Sequence, residues 1–453
     1  MKGVFVVGAG PAGMFAARQI ALAGYDVFIF NRDIKPGGLA EYGIYPLKEK
    51  MKTGLRKQFA RVLEMPNVHY FGNVQIGVPY DITIEELETM RPAAIVFSCG
   101  AQGTKSLGLP GEDLKGVYSA KEFVYFYNRL PPFASMDFST GKRIAIIGVG
   151  NVAIDIARWL LLDSPGRLTE EVIIVARRGP LEVKFDRKEI EYVDQHVSRE
   201  RLVQELERVK ERCARCGQDV SPEKVIAQHF RHLGDAGFES VLPRLSFRFL
   251  SSPAALLGDA NGRIAAMEMA ENNLVLRDDG STAAKASGQS ARIDVDTLIF
   301  AIGDTHDAGI GLPMGKDGYA TRPGTDATKE PSFEVWDPVA SRVFPGRFVA
   351  GWARRASTGL VGIARHDGEL GANQAIEFVK GAPDSGTLGE AEIQARLDAK
   401  GLRTVNKADL ALLARAEDHE GQERTAGSFA FADNESMLRA IAMEREGMGV
   451  TST

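Results

Sequence analysis

Apolar residues recur along the chain in two rhythms. Near the start, "GVFVV" is followed by "GAGPAG" and then by "MFAARQIALAG", where large and small apolar residues return at helical spacing. A short unbroken apolar run reads as a buried strand, and the longer 3.6-residue rhythm reads as an amphipathic helix. The pattern predicts a strand over 4–7, a glycine turn over 8–13, a helix behind it, and a second strand in "DVFIFNRD". The same order returns in "RIAIIGVGNVAIDIARWLL": a strand over 143–147, the turn Gly148-Val149-Gly150-Asn151-Val152-Ala153, a helix, and then the apolar run "EVIIV". Two more strands end in small residues, "AAIVFSCGAQG" (93–103) and "DTLIFAIGD" (296–304). Charged, helix-favouring sequence fills 199–216, and beyond residue 381 two helices are predicted, "GEAEIQARLDAK" and "NESMLRAIAMEREG".

Strand, glycine turn and helix in that order form a dinucleotide-binding unit. The first glycine makes the tight turn and the second lets the backbone approach a pyrophosphate. The third small residue, Gly13 or Ala153, lets helix pack on strand, so that the helix N-terminus meets the anion. The strand after the second turn runs into "VARRGPL". Charges commonly cap the solvent end of a strand, but Arg177 and Arg178 stand where the adenosine ribose of a bound dinucleotide sits. An NAD site offers an acid to the ribose 2′-hydroxyl there, and an NADP site offers arginine to the 2′-phosphate. No acid ends this strand, and two charge-assisted contacts contribute about 1.5 to 3 kcal/mol each. The pair is therefore read as a 2′-phosphate site. With no adjacent arginine pair in the first unit, FAD falls to that unit and NADP(H) to the second.

The expected fold class is α/β, with two Rossmann-like dinucleotide-binding domains and the NADP domain inserted into a discontinuous FAD domain. The FAD domain would take 1–104 and 304–453, including a C-terminal helical tail. The NADP domain would take 105–303, with a helical insertion at 186–245. Composition narrows the function classes. At 453 residues and 44% apolar content the chain can fill two or three cores, and a net charge of -5 argues against a nucleic-acid binder. Three cysteines are too few for a disulfide framework or an all-thiolate iron-sulfur cluster. No stretch has the length and apolarity of a membrane span or an export signal, so a reduced, cytoplasmic protein is expected.

With these motifs placed, the chain resembles the adrenodoxin reductase family of ferredoxin-NADP reductases, which is related to the glutamate synthase small subunit. Besides both glycine motifs, the resemblance rests on "EYGIYP", "YFGNVQIG", "LPGEDLKGVYSAKEFVYFYNRLP", "RRGPLEVKF", "GWARRASTGLVG" and "FADNESMLRAI". It implies that Gly8, Gly10, Pro11, Ala12 and Gly13 hold the FAD pyrophosphate and that Gly38, Leu39 and Val74 contact the cofactor. Trp352 and the backbone of Gly359, Leu360 and Val361 would lie against the isoalloxazine, with Gly359 also touching nicotinamide. Gly148, Gly150, Asn151 and Val152 would hold the NADP pyrophosphate, and Arg177, Arg178 and Glu189 its adenosine end. Asp155 and Trp352 are the implied catalytic positions. Two departures stand out. Asn31 replaces the acid that closes the second strand, a neutral and weaker acceptor, with Asp33 as a substitute. Pro46-Leu47-Lys48-Glu49 replaces the family's Pro-Asp-His-Pro, so a histidine is missing near the flavin.

The expected activity is hydride exchange between NADP(H) and flavin N5, followed by single-electron transfer to or from a ferredoxin or similar iron-sulfur carrier. The alternatives are an electron-input subunit of a larger complex and a non-catalytic FAD/NADP redox sensor. A ferredoxin is typically acidic, so the basic stretch Lys48, Lys50, Lys52, Arg56 and Lys57 is the candidate docking surface. Cys213, Cys216, His229 and His232 have a spacing close to a zinc finger's, without its aromatic and leucine positions. No metal is assigned, and Cys99 reads as a buried small hydrophobe.

Overall fold

In β1 (Gly3–Val7) and β2 (Asp26–Asn31), valine and isoleucine alternate with phenylalanine, and the alternation decides which layer each face meets. Successive strand residues point to opposite faces. Val4, Val6, Val27 and Ile29 accordingly join one core, while Phe5, Phe28 and Phe30 join the other. Between these strands runs α1 (Pro11–Leu22), and after them come α2 (Glu49–Leu63), β3 (Val68–Gly72) and β4 (Ala94–Phe97). The computed structural model describes residues 2–166, 168–233, 243–324, 332–356, 361–424 and 429–447.

The chain then leaves this layer. It forms β5 (Val117–Ser119), β6 (Arg143–Ile147), α3 (Asn151–Arg158), β7 (Glu171–Val175), α4 (Arg199–Ala214) and β8 (Arg244–Arg248). Three long strands follow, β9 (Ser251–Gly258), β10 (Ile264–Leu276) and β11 (Thr282–Asp294), and then β12 (Thr297–Phe300). The last part contains β13 (Glu334–Asp337), β14 (Arg342–Val349), α5 (Val361–Gly381), α6 (Glu390–Ala399), α7 (Lys407–Arg424) and α8 (Asn434–Gly447).

Two compact units result. One takes residues 1–104, 125–135 and 303–453, and the other 105–124 and 136–302. In the first, a six-stranded sheet is ordered β13-β14-β4-β1-β2-β3, parallel throughout except for the β13–β14 pair. The valine face is covered by α1 and α5, where Ala16, Ala17, Ala372 and Ala375 keep the layer thin. The phenylalanine face is closed by Leu388, Ile393 and Leu397 at α6. Helices α7 and α8 pack Leu412, Leu413, Met437 and Ile441 onto Ile34. The sequence pattern did not predict α7, whose apolar positions are diluted by charge.

In the second unit, five parallel strands are ordered β5-β12-β6-β7-β8. The antiparallel sheet β9-β10-β11 covers one face, where Met267, Met269 and Leu256 meet Ala145, Ile173 and Leu298. This covering sheet also was not read from the sequence. Its outer strand, "TAAKASGQSARID", is mostly solvent-exposed and shows little apolar alternation.

Helix α4 is latched to the second unit by charge. Glu271 of β10 takes Arg208 and Arg212 from α4 and Arg248 from β8, while Glu205 pairs with Arg208 and accepts the Phe249 N–H at 2.6 Å. Burial pushes the Glu271 carboxyl up, but its arginine hydrogen bonds outweigh that and hold it below the usual carboxylate range. A depressed carboxylate contributes stability that is present above its unfolded pKa and is lost as pH falls through the lower folded value. Glu271→Gln should therefore cost about 3 kcal/mol at pH 7, because it leaves clustered arginines short of a counter-charge. Thermal unfolding followed from pH 7 downward checks this: wild type and variant should converge only in the acid range below an ordinary carboxylate pKa.

Candidate functional site

The two glycine turns share one set of backbone hydrogen bonds. Gly8 N–H donates to Phe30 O at 2.8 Å, and Gly148 N–H donates to Val175 O at 2.9 Å. Ser98 N–H donates to Val7 O and Ala301 N–H to Ile147 O, each at 2.8 Å. Gly37 N–H reaches Ala9 O at 2.8 Å, and Lys184 N–H reaches Val149 O at 2.9 Å. Each first glycine thus ties its turn to the end of the following strand. Both have positive φ, +102° at Gly8 and +126° at Gly148. A Cβ on Gly148 would lie 2.2 Å from Ala301 O, and one on Gly8 2.8 Å from Ser98 O. The third small position is as tight in the first unit, where a Cβ on Gly13 would lie 1.9 Å from Gly8 O.

The second glycine behaves oppositely. No atom lies within 4 Å of the place a Cβ would take on Gly10 or on Gly150. Both are N-caps, of α1 and α3, with no side-chain cap bond and no acid in the first helical turn. Helix α4 shows the ordinary alternative, with Ser198 accepting from Arg201 N–H and Glu200 in the first turn. Two helices therefore present uncapped N–H groups into open space, the arrangement that suits a pyrophosphate. Both cofactor expectations fit the residues present.

Around the first turn, Gly38 lies against Gly10, since a Cβ there would sit 3.1 Å from Gly10 Cα. Leu39 opens the short helix Leu39–Tyr42 and is partly buried against Tyr42 and Tyr125. Val74 is in the phenylalanine core, and its N–H donates to Asn31 O at 2.9 Å. Asn31 is buried and turned inward. Its Oδ1 accepts Ala9 N–H at 2.9 Å, and its Nδ2 donates to Asp33 O, Lys35 O and Tyr70 Oη at 2.7 to 3.1 Å. Asp33 is paired with Arg32 at 2.9 Å, and Arg32 also reaches Gln102 Oε1 at 2.8 Å.

Ala12 touches the last part of the same unit: Cβ atoms placed on Gly351 and Gly368 would lie 2.5 Å from Ala12 Cβ and 2.2 Å from Ala12 O. Gly351 N–H donates to Asp367 Oδ2 at 2.6 Å, and Asp367 pairs with buried Arg354. These contacts hold Trp352 beside the first glycine turn. Its carbonyl accepts from Nε2 of buried His306 at 2.7 Å, so that nitrogen carries the proton. His306 was not singled out in the sequence, where it follows the strand end as one polar residue among several. Gly359 and Leu360 lie outside the described residues; Val361 is the first residue of α5.

At the second turn, Asn151 and Asp186 bond reciprocally, Nδ2 to Oδ2 at 2.9 Å and Asp186 N–H to Oδ1 at 2.7 Å. This brings the short helix Arg187–Ile190, with half-buried Glu189, alongside α3. Val152 is exposed at the helix start, and Asp155 is half-buried one turn further on. Arg177 and Arg178 follow β7, Arg177 exposed and Arg178 partly buried with Nη1 3.3 Å from Thr282 O.

Two other sequence features take different places. The basic stretch is not one open positive face. Lys52 is buried with Nζ on Asn128 Oδ1 at 2.8 Å, and burial lowers its pKa. Arg56 is held by Glu41 and Glu49 at 2.6 Å each, which leaves Lys50 and Lys57 as its exposed cations beside them. Cys99 lies just beyond β4, partly exposed by area, with burial pushing its thiol up to about 12. Cys216 donates to Leu274 O at 3.1 Å and His232 pairs with Asp194 at 3.0 Å. Among the described residues no group of His, Cys, Asp or Glu stands together as a metal site.

Comparison with known proteins gives a consistent picture. The family model described as pyridine nucleotide-disulphide oxidoreductase matches residues 2–312. NADPH-ferredoxin reductase FprA of Mycobacterium leprae is 31% identical over 417 residues, covering 85% of this chain and 86% of that protein. The mitochondrial NADPH:adrenodoxin oxidoreductase of Bos taurus is 29% identical over 479 residues, covering 97% and 92%. The structure of Mycobacterium tuberculosis FprA in complex with NADPH superposes with a TM-score of 0.80 at 26% identity, covering 97% of this chain and 99% of that one.

The contrast between open and closed glycines is testable. Gly10→Ala should keep the thermal midpoint of the flavin-free wild type yet lose bound flavin, because its methyl enters the open cradle. Gly13→Ala should lose stability by about 2 kcal/mol or more, since the methyl must displace backbone. Thermal unfolding and heat-released flavin, measured on both variants, check the pair.

Proposed function

Since this chain belongs to the pyridine nucleotide-disulphide oxidoreductase family, we propose that it is an FAD-dependent NADPH:ferredoxin oxidoreductase. The observation that carries the reading is that two like-built cradles differ at one place. Counting from the carbonyl that accepts the first glycine's N–H, the second and third residues are Arg32-Asp33 in the first unit and Arg177-Arg178 in the second. The first pair neutralises itself at 2.9 Å. The second carries two like charges, which repel unless an anion lies between them. A dinucleotide without a 2′-phosphate suits the first, and one with it suits the second.

In this reading the uncapped start of α1, with Gly8, Gly10, Pro11, Ala12 and Gly13, holds the FAD pyrophosphate, and Gly38, Leu39, Val74 and the Trp352 turn hold the rest of the cofactor. Asn31 supports it indirectly, because its amide fixes Ala9 and the loop carbonyls of Asp33 and Lys35. The start of α3, with Gly148, Gly150, Asn151 and Val152, holds the NADP pyrophosphate, while Arg177, Arg178 and Glu189 hold its adenosine end. FAD held by these residues would supply the link between a two-electron nicotinamide donor and a one-electron iron-sulfur acceptor, through hydride exchange on one side and single-electron transfer on the other. His306 donates its Nε2–H to the Trp352 carbonyl and so fixes the turn that would face the flavin. Asp155 is the carboxylate proposed to sit nearest the reacting end of the coenzyme. The cytoplasm is the compartment proposed for this chain. No described helix is long and apolar enough to cross a membrane.

Replacing Arg177 and Arg178 together by alanine should raise the KM for NADPH roughly tenfold or more while barely changing that for NADH. Steady-state kinetics with both coenzymes check this, and an equal loss with both would assign the pair to scaffolding. NADPH-driven cytochrome c reduction should depend on added ferredoxin and slow as salt rises, since exposed charges are screened beyond about 8 to 10 Å at physiological ionic strength. Lys50→Glu with Lys57→Glu should slow that rate and leave ferricyanide reduction intact. Independence from ferredoxin would remove the acceptor assignment.

A further inference from the structure

The arginine turn is held by three consecutive carbonyls, and only one of them depends on a side chain. Ala176 O accepts from Ser251 N–H at 3.0 Å, and Arg178 O accepts from Leu250 N–H at 3.0 Å. The carbonyl between them, Arg177 O, accepts from Asn272 Nδ2 at 3.0 Å. The same nitrogen donates to Ser252 Oγ at 2.9 Å, so both of its hydrogens are committed. Asn272 is 4% exposed and stands on β10 immediately after a register shift between Ala270 and Asn272. Its backbone is fixed as well, with N–H on Leu250 O at 2.7 Å and its own carbonyl taking Arg212 Nη1 at 3.0 Å.

The peptide joining Arg177 to Arg178 is planar, so fixing the Arg177 carbonyl fixes that whole plane. The plane in turn sets ψ of Arg177 and φ of Arg178, and with them the directions in which both side chains leave the backbone. Arg178 is further restrained where its guanidinium meets Thr282 O at 3.3 Å. We propose that Asn272 is a specificity-determining positioning residue: from the covering sheet, it orients the Arg177–Arg178 peptide so that both guanidinium groups converge on one 2′-phosphate. This rests on the reading of that pair as the 2′-phosphate site. The strand on which Asn272 stands is outside the dinucleotide fold proper, so coenzyme preference depends on an element that the glycine motif does not include.

The test uses full-length protein and two probes, adenosine 2′,5′-bisphosphate and adenosine 5′-monophosphate, which differ only in the 2′-phosphate. Asn272→Leu should weaken calorimetric binding of the bisphosphate about fivefold and leave the monophosphate within about twofold, the effect of one lost hydrogen bond. The ratio of KM values for NADPH and NADH should rise in the same proportion, with kcat for NADPH unchanged. Ser252→Ala, a change at a partly exposed hydroxyl, releases the amide without opening the core and should move the bisphosphate about twofold in the same direction. It carries the test if Asn272→Leu does not fold. Equal weakening of both probes, or no change in either, overturns the proposal. Arg177→Ala with Arg178→Ala separates the two levels. If that variant loses discrimination and the Asn272 and Ser252 variants keep it, the phosphate site stands and the positioning role falls. If it keeps discrimination, both fall.

Discussion

Everything at the two cradles depends on one hydrogen bond made twice, from the N–H of the first glycine to the carbonyl closing the next strand. It bends the chain out of the sheet with positive φ, at a point where neighbouring backbone leaves no room for a Cβ. Once the turn is set, the helix that follows must start with its N–H groups facing outward from the strand ends. The second glycine then has nothing to pack against. Tightness at one residue and vacancy two residues later are a single geometric decision, and the proposed anion site is its by-product.

Because both cradles are cut to one pattern, what separates them is chemistry a few residues away. Arg32 and Asp33 cancel each other, whereas Arg177 and Arg178 cannot. In the proposed reading the backbone scaffold would serve any pyrophosphate equally well, as expected where main-chain donors and a helix dipole do the binding. In that proposed reading, selectivity falls to side chains at the end of the second strand and to whatever holds those side chains in place. Asn31 and Asn272 play comparable parts, each a buried amide that fixes a loop from one side.

Much of this was legible in the sequence. Unbroken apolar runs located β1, β2, β6 and β7, two of them followed by glycine turns, and the arginine pair stood out because no acid accompanied it. The sequence was silent where the signal was a partner rather than a pattern. Asn31 looked like a weakened ribose acceptor because its alignment with an acid was visible, while its bond to Ala9 was not. The basic stretch looked like one surface because Glu41, which neutralises Arg56, lies fifteen residues upstream. The β9-β10-β11 layer was missed because its outer strand is solvated and its small residues follow no clear rhythm.

The first unit is assembled from three stretches of chain, with the second unit's strands lying between them in sequence. On the ribosome this separation becomes a delay. When residue 302 emerges, every strand of the second unit exists, but β4 still lacks β14 on its outer side and the valine face still lacks α5. Counted from the end of β4 to the end of β14, at about 5 to 20 residues per second, the nascent chain carries an unpaired parallel edge and a half-covered apolar face for roughly ten to fifty seconds. The cofactor fold that starts the sequence is thus the last to close.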